Sequence, residues 1–360
     1  MVSRKGMAVF KSLMRSYFRK TPSYLILFVT ARCNARCKMC FYWRNIDDSS
    51  VKGELTLEEY WHISRKFKNL FYLSISGGEP MLREDLPEVV RAFYRNSGVR
   101  FVNITTNGGF PQRTLDVIKS ILEYCPDIKV KLSFSLDGLG AKHDNIRGVK
   151  GLFDKVLESH KLLSGLNSKN LAINIATTFS SLNKDGIYEL IDYVHNDLKI
   201  NDHTVTYVRG DTRDKYAKDI TPGEYFKVWN YVLDKNKNGN KGFFGIFNNL
   251  IRMMYRVNQE TLERNRAVLP CLAGKKFITI SEKGEVYPCE VISNIFKNKP
   301  FKMGNLRNFG YDINRILRAP QNRHMVDFIE KSKCHCSFEC STLCNIAFSK
   351  KNLFKIFNQK

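Results

Sequence analysis

The chain lacks any apolar run approaching the ~20 residues that a helix needs to cross a bilayer, which excludes an ordinary helical span. It also lacks a secretory signal, so its ten cysteines do not read as the disulfide scaffold of an exported protein. Acidic residues are scarce: 35 Asp and Glu face 58 Lys and Arg, a formal charge of +23. At both ends the shortage is complete. Residues 1–20 carry Arg4, Lys5, Lys11, Arg15, Arg19 and Lys20 with no acid, and residues 346–360 carry Lys350, Lys351, Lys355 and Lys360 with no acid. Such a surplus favours anionic partners: lipid headgroups, nucleic acid or phosphorylated substrates. No internal repeat and no low-complexity tract is present.

What is there alternates. Apolar, β-rich runs at Tyr24–Thr30, Phe71–Ser76, Phe101–Thr106, Val130–Leu136, Leu171–Thr177 and His203–Val208 are separated by helix-period segments near 56–69, 85–97, 112–124, 149–164 and 184–197. Thr56-Leu-Glu-Glu59 is a capping-box pattern. Six strands alternating with helices predict an α/β fold, a partial (β/α)6 parallel barrel over 23–210. Helical segments follow near 222–234 and 243–266, around a polar loop at 235–242, giving a helical connection over 211–269. Phe277–Ser281, a Lys283-Gly284 turn and Glu285–Pro288 predict a hairpin inside a small cysteine-rich module at 270–345. Basic segments at 1–22 and 346–360 flank the whole.

In parallel sheets the functional residues collect at the C-terminal ends of strands. Cys33, Cys37 and Cys40 fall there, after the first strand. Three thiolates are one fewer than the irons of a four-iron cluster, which leaves one iron open for chemistry. The alternative is structural zinc, which needs a fourth ligand such as His62. Cys125 stands alone and reads as an ordinary buried thiol.

Cys33-x3-Cys37-x2-Cys40 after one strand and Ser76-Gly-Gly-Glu-Pro80 after the next resemble the radical S-adenosylmethionine (radical SAM) superfamily over roughly residues 24–210. The resemblance implies a [4Fe–4S] cluster on the three cysteines, with S-adenosylmethionine chelating the open iron and yielding a 5′-deoxyadenosyl radical on reduction. It further implies that Gly77 and Gly78 allow close backbone approach to the ligand, and that Glu79 accepts from the ammonium of its methionine part. Met39 and Tyr42 would wall the adenine, and Asn107 of Ile104-Thr-Thr-Asn-Gly108 would lie near the ligand. Ser133, Ser135 and Asp137 would serve the ribose side, and Arg147 of His143-Asp-Asn-Ile-Arg-Gly148 would reach the methionine carboxylate. For Arg147 the alternative is a helix-terminal salt bridge; for the two serines, simple filling of a barrel.

The late cysteines, Cys271-x12-Gly284-x4-Cys289 and then Cys334-x-Cys336-x3-Cys340-x3-Cys344, admit a zinc module or an auxiliary iron–sulfur cluster. The opening spacing resembles the SPASM/twitch extension of radical SAM enzymes. The later gaps of one and three residues depart from the two and five of that extension, and no cysteine follows Cys344. The expectation is at least one auxiliary cluster on Cys271, Cys289 and two of Cys334, Cys336 and Cys340. Cys344 is left over, and a second cluster using His335 stays open. The cluster either ligates substrate or accepts an electron.

Phe10, Leu13, Met14, Tyr17 and Phe18 fall at helical spacing among Lys11, Arg15 and Arg19, an amphipathic basic helix that either closes the barrel floor or lies on an anionic membrane surface. Phe348, Leu353, Phe354 and Phe357 repeat that composition at the other end. Arg209, Asp211 and Arg213 either bind a substrate carboxylate or phosphate, or form a loop ion-pair network. Three functions follow as expectations. The first is radical chemistry on a small molecule, sugar or lipid-linked intermediate, with an electron donor such as flavodoxin or ferredoxin. The second is maturation of a ribosomal peptide, disfavoured because only 23 residues precede the first strand and leave no room for a fused leader-binding domain. The third is a non-catalytic iron–sulfur or zinc protein on nucleic acid, which leaves Gly77–Pro80 and Arg147 without a purpose. The expected location is cytoplasmic, with weak association at the inner membrane surface as a further expectation.

Overall fold

A computed structural model of the protein describes residues 14, 16–18, 21–50, 52–236, 243–292, 301–332 and 334–349, with side chains from 249 onward in the segment that begins at 243. Nine strands share one sheet: β1 (Tyr24–Phe28), β2 (Tyr72–Ser76), β3 (Phe101–Thr106), β4 (Lys129–Ser135), β5 (Leu171–Phe179), β6 (His203–Tyr207), β7 (Phe277–Ile280), β8 (Glu285–Tyr287) and β9 (Gly304–Asn305). Their order is β6-β5-β4-β3-β2-β1-β7-β8-β9, so β6 and β9 are edges and the barrel is open. β1 to β6 pair in parallel, Tyr24 opposite Tyr72 and Phe101 opposite Lys129. The helices are α1 (Trp43–Asp47), α2 (Leu57–Ser64), α3 (Leu86–Ser97), α4 (Pro111–Tyr124), α5 (Gly140–Arg147), α6 (Leu152–Ser164), α7 (Ile187–Asn196), α8 (Pro222–Lys235), α9 (Phe243–Glu263), α10 (Ile313–Arg318), α11 (Pro320–Lys331) and α12 (Glu339–Ala347).

Strand alternation explains the layers. Leu73, Ile75, Val102, Ile104, Val130 and Leu132 are buried against the outer helices. The opposite faces of β2 to β6 are polar, with Ser74, Asn103, Lys131, Asn174 and Thr204 turned into a central cavity. A parallel sheet covered on both faces ordinarily reads as near-continuous hydrophobics. Here one residue in two is polar, so the barrel encloses a space that small polar side chains do not fill. β1 is buried throughout. Its Leu25 and Leu27 join the helical core, while Tyr24, Ile26 and Phe28 join a second core with Phe277, Cys289 and Phe338.

The expected hairpin exists but is not a detached module. β7 pairs in parallel with β1, Tyr24 opposite Phe277, so the cysteine-rich segment extends the barrel sheet from its first strand. The helix expected near 149–164 is α6, and α5 before it was not expected. Gly148 and Gly151 between them hold φ of +69° and +74°, a left-handed conformation that glycine takes without steric cost. Helices α10 to α12 were not expected from the pattern. The capping box is present: Thr56 Oγ1 accepts from the Glu59 amide at 3.2 Å, and Glu59 accepts from the Thr56 amide at 2.8 Å; such a cap contributes about 1 kcal/mol.

Of the basic N-terminal segment, Met14 and Tyr17 pack on the second core, and Tyr17 stacks on Phe348 with centroids 6.4 Å apart. Lys276 Nζ donates to the carbonyls of Ser16 and Tyr17 at 2.9 and 2.8 Å. Phe18 is exposed. Phe10, Lys11, Leu13, Arg15 and Arg19, and Leu353, Phe354 and Phe357 of the tail, lie outside the described residues. Among the described residues no helix is long and apolar enough to cross a membrane.

Candidate active site

The three early cysteines occupy the loop that leaves the C-terminal end of β1. Backbone contacts fix its path. Gly78 and Glu79 donate to the carbonyls of Thr30 and Arg32 at 2.7 and 2.8 Å, and Arg36 and Lys38 donate to the carbonyls of Arg147 and Ile146 at the end of α5. Arg213 and Asp214 donate to the carbonyls of Cys40 and Lys38. The two glycines are required by this packing. A Cβ on Gly77 would lie 2.3 Å from the Thr30 carbonyl oxygen, and one on Gly78 would lie 2.1 Å from that of Arg32. The close approach they permit is therefore to the cysteine loop's own backbone.

The thiols are near one another. Burial pushes Cys33 up to about 12, with Glu79, Cys37 and Cys40 adding to it, and pushes Cys40 up to about 11, with Cys37 adding. A cation answers them: Arg147 Nη1 lies 3.6 Å from Cys37 Sγ. Its Nε and Nη2 hold Asp137 Oδ2 at 2.5 Å, and Asp137 Oδ1 accepts from the Thr178 amide at 2.7 Å. Arg147 is thus both the salt bridge and a positive charge beside the cysteine loop. Asp137 is fully buried and does not line the cavity.

Glu79 is 1% exposed and lines the cavity. Its carboxylate accepts from Thr106 Oγ1 and the Asn107 amide, both at 2.7 Å, and from the Met81 amide at 3.1 Å. Burial raises its pKa, and these donors oppose the rise. Asn107 is locked to the cysteine loop by Nδ2 donating to Asn34 Oδ1 at 2.7 Å. Met39, Ser133 and Ser135 line the same cavity, with Ser133 Oγ donating to Asn103 Oδ1 at 3.0 Å. Tyr42 does not. Its hydroxyl donates to Glu282 Oε2 at 2.5 Å, tying the segment after Cys40 to the β7–β8 turn.

The cavity has a volume of about 380 Å³. Cys33, Cys37, Cys40, Gly77 and Gly78 line one part of it; Arg209, Glu290, Glu339, Cys340 and Cys344 line another. Arg209 bridges the two, its guanidinium over the rings of Phe41 and Phe338 at 5.4 and 4.7 Å. Nη1 meets Glu339 and Nη2 meets Glu290, each at 2.8 Å. Burial raises both carboxyls, and Arg209 opposes the rise. Asp211 and Arg213 lie outside the cavity lining. Asp211 pairs with Arg44 at 2.9 Å and Arg213 with Asp47 at 2.7 Å, the loop ion-pair network. Deeper in the barrel, Lys131 meets Asp202 at 2.9 Å. Asn103, Lys131, Asn174, Glu290 and Glu339 were not singled out from sequence; the polar half of each alternating strand was the available signal for the first three.

Late in the chain, burial raises Cys289 well above the usual thiol range, and Cys336, Cys271 and Cys334 add to it. Cys334 is pushed up to about 12 by burial, then by Cys271 and Cys336. Among the described residues no three His, Cys, Asp or Glu side chains converge enough to hold a single metal ion; in a four-iron cluster each thiolate binds its own iron, so such convergence is not required. Three neighbouring thiols, an adjacent guanidinium and a buried acceptor fit a cluster carrying an amino-acid ligand. Metal loading requires thiolates, so raised thiol pKa values make it proton-releasing.

Comparisons with known proteins agree. The Radical SAM superfamily profile matches residues 27–194, and that of an iron–sulfur cluster-binding domain, SPASM, matches 271–344. The chain is 27% identical over 300 residues to the AdoMet-dependent heme synthase of Methanosarcina barkeri, covering 78% of this chain and 81% of the relative. It is 31% identical over 197 residues to human molybdenum cofactor biosynthesis protein 1, covering 53% of this chain and 29% of that protein. In fold it is similar to Streptococcus suis SuiB bound to S-adenosylmethionine, with TM-score 0.62 at 19% identity, over 97% of this chain and 78% of SuiB. It is likewise similar to anSMEcpe with bound AdoMet and a peptide, with TM-score 0.59 at 18% identity, over 89% of this chain and 88% of that one. The chain belongs to the radical SAM superfamily and carries a SPASM-type iron–sulfur domain in its C-terminal part.

Proposed function

We propose that the protein performs radical chemistry on a small molecule, a sugar or a lipid-linked intermediate held in the barrel cavity, with an auxiliary cluster relaying an electron. The family brings a [4Fe–4S] cluster, S-adenosylmethionine and an auxiliary iron–sulfur cluster. When bound and reduced by one electron, S-adenosylmethionine would supply the radical chemistry that takes hydrogen from an unactivated carbon. The chain's own residues do the rest. Cys33, Cys37 and Cys40 would hold the cluster, and Arg147 offsets thiolate charge. Glu79 offers an oriented carboxylate to an ammonium group, a charge-assisted hydrogen bond. The hydroxyl and amide groups of β3 to β6 suit a hydroxylated substrate, and Phe41, Leu250 and Met254 on the apolar wall exclude water.

One observation carries this reading: a single cavity is lined both by the cysteine loop and by the cysteine-bearing helix α12. Oxidoreductase-type chemistry is the class that suits a cluster able to take up an electron, with Cys271, Cys289 and two of Cys334, Cys336 and Cys340 as its ligands and a flavodoxin or ferredoxin as donor. Anaerobically reconstituted, reduced protein given S-adenosylmethionine is expected to release 5′-deoxyadenosine. None released from fully loaded, reduced protein would overturn the reading. A second reading, peptide maturation, is supported by SuiB, solved bound to the precursor peptide SuiA, and by anSMEcpe with its peptide. Weak association with an anionic membrane surface rests on the two basic ends; pelleting with anionic vesicles tests it, and no binding ends it.

A further inference from the structure

The cavity runs the height of the barrel. Along β2 its lining extends from Gly77 down to Phe71, six residue steps at about 3.3 Å, or about 20 Å. Its character changes with depth. Glu79, Arg147 and Arg209 line the upper part. Helix α12 spans both parts: Glu339 at its start accepts from the Tyr207 amide at the top of β6 at 3.3 Å, and Phe348, just past its end, stacks on Tyr17 beneath the sheet. Around that lower end the lining is Phe71, Tyr72, Ile251, Leu343, Ala347 and Phe348. Phe71 and Ile251 are only partly buried. On the β4 side the one cation at this depth, Lys131, is closed on Asp202. A purely hydroxylated molecule leaves such an end unfilled, whereas hydrocarbon leaves water favourably to enter it.

The face beneath that end is basic. The loops under the sheet expose Arg65, Lys66, Lys68, Lys169 and Lys199. Of the acids in those loops, Asp127 pairs with Arg100 and Asp202 with Lys131, and Asp197 is the other. At the opposite end of the barrel the exposed charges answer one another, Arg44 with Asp211 and Arg213 with Asp47. Residues 1–20 hold six Lys and Arg and no acid, and the described part of that stretch docks on the same floor. Ser16 Oγ donates to the Asn69 carbonyl at 3.1 Å, next to Lys68, and Phe18 stands 75% exposed. Tyr17 on Phe348 joins this segment directly to the cavity's lower end. Cationic side chains around an exposed aromatic suit an anionic bilayer. Nucleic acid would satisfy the charge but leave the apolar end without an occupant.

We propose that the substrate is a membrane lipid with a hydroxylated headgroup, and that the barrel floor rests on an anionic bilayer while the lipid is bound; this deepens the function proposed above and rests on it. The headgroup lies among the hydroxyls and amides of β3 to β6, within reach of the cysteine loop. The hydrocarbon chain runs down past Leu343 and Ile251 and leaves between Phe71 and Phe348 toward the membrane. The basic floor and the apolar lower end are thus two parts of one entry route.

Two readouts on anaerobically reconstituted holoprotein test this, both without reductant. The first is pelleting with vesicles of equal parts phosphatidylglycerol and phosphatidylcholine. Binding is expected to fall about tenfold or more in the triple variant Lys66→Glu, Lys68→Glu, Lys169→Glu, and to persist in Lys142→Glu, Lys215→Glu, Lys218→Glu, which reverses as many charges at the opposite end. Equal loss in both triples, binding to pure phosphatidylcholine alone, or binding of a short RNA with none of vesicles overturns the membrane face. The second uses dodecyl glucoside carrying a diazirine at the end of its chain, dissolved in the same vesicles, with labelled residues found by peptide mass. Label is expected on segments 71–72, 250–254 and 343–348, and is expected to drop in Ala347→Trp, which fills the lower end. Label confined to residues 14–18 and the floor loops, or unchanged in Ala347→Trp, overturns the lipid substrate; the wild-type map alone decides if that variant does not fold. Failure to form 5′-deoxyadenosine would overturn the function itself and leaves both readouts standing.

Discussion

The two cysteine stations of this protein are built in opposite ways. The first draws three thiols from eight consecutive residues on one loop, and the fold's work is to hold that loop. Gly77 and Gly78 dock backbone to backbone on Thr30–Arg32, α5 grips Arg36 and Lys38, and the strap after β6 grips Cys40. The second has its candidate thiols spread over the start of a hairpin, its end, the segment before α12 and α12 itself, and the hairpin is fixed to the barrel by β7 pairing with β1. A contiguous loop can keep one iron open, since nothing else needs to reach it. A station assembled from distant segments would suit the electron relay proposed above, and the difference in construction would then match a difference in task.

The largest expected effect separates the stations outright. Cys37→Ala is expected to abolish 5′-deoxyadenosine formation, while Cys271→Ala removes auxiliary iron and lowers cleavage of S-adenosylmethionine by no more than about tenfold, the scale of an indirect perturbation. Equal loss in both would erase the distinction; chromatographic product quantitation decides. Next comes the junction. Arg209→Met leaves Glu290 and Glu339 buried without their cation and is expected to cost about 3 kcal/mol or more by anaerobic denaturant unfolding. Gly78→Ala presses a methyl on the Arg32 carbonyl and is expected to cost up to about 3 kcal/mol, with weaker S-adenosylmethionine binding by equilibrium dialysis.

Much of the first station is legible in the sequence because its residues are chain neighbours or follow neighbouring strands. The rule that function collects at strand ends is enough to bring Cys33–Cys40, Gly77–Glu79 and Asn107 together. The second station is legible only as a count. Which thiols meet depends on β7 joining the barrel and on α10 to α12, none of which a hairpin pattern reveals. Tyr42 shows the same limit. Its expected place beside adenine came from adjacency to Cys40, but the β7–β8 turn brings Glu282 within reach and takes its hydroxyl. Arg209, Asp211 and Arg213 look alike in sequence, and only the fold turns the first into the cavity and the others onto Arg44 and Asp47. The polar barrel wall was visible in the alternation of β2 to β6, but Lys131 and Asp202 meet across 71 positions of chain.

A pH-dependent effect, small near neutrality, probes the barrel floor, remote from both stations. His203 is buried, its pKa held down to about 3 from 6.5 by burial and then by His195. The unfolded chain takes up that proton and the folded one resists it. Stability is therefore intact above about 6.5 and falls as pH drops toward 3, by up to about 1.4 kcal/mol per unit. His203→Gln is expected to flatten this slope in unfolding curves at several pH values. The smallest effect is Asp211→Ala, which removes an exposed pair and is expected to leave S-adenosylmethionine cleavage within about twofold of wild type.

On the proposed function, two separate cluster stations serve one cavity. Iron counting on reconstituted protein in which Cys33, Cys37 and Cys40 are all alanine tests it most directly. Half of the wild-type iron is predicted to remain, with no 5′-deoxyadenosine formed. Loss of all the iron, or retention of all of it, would contradict two independent stations.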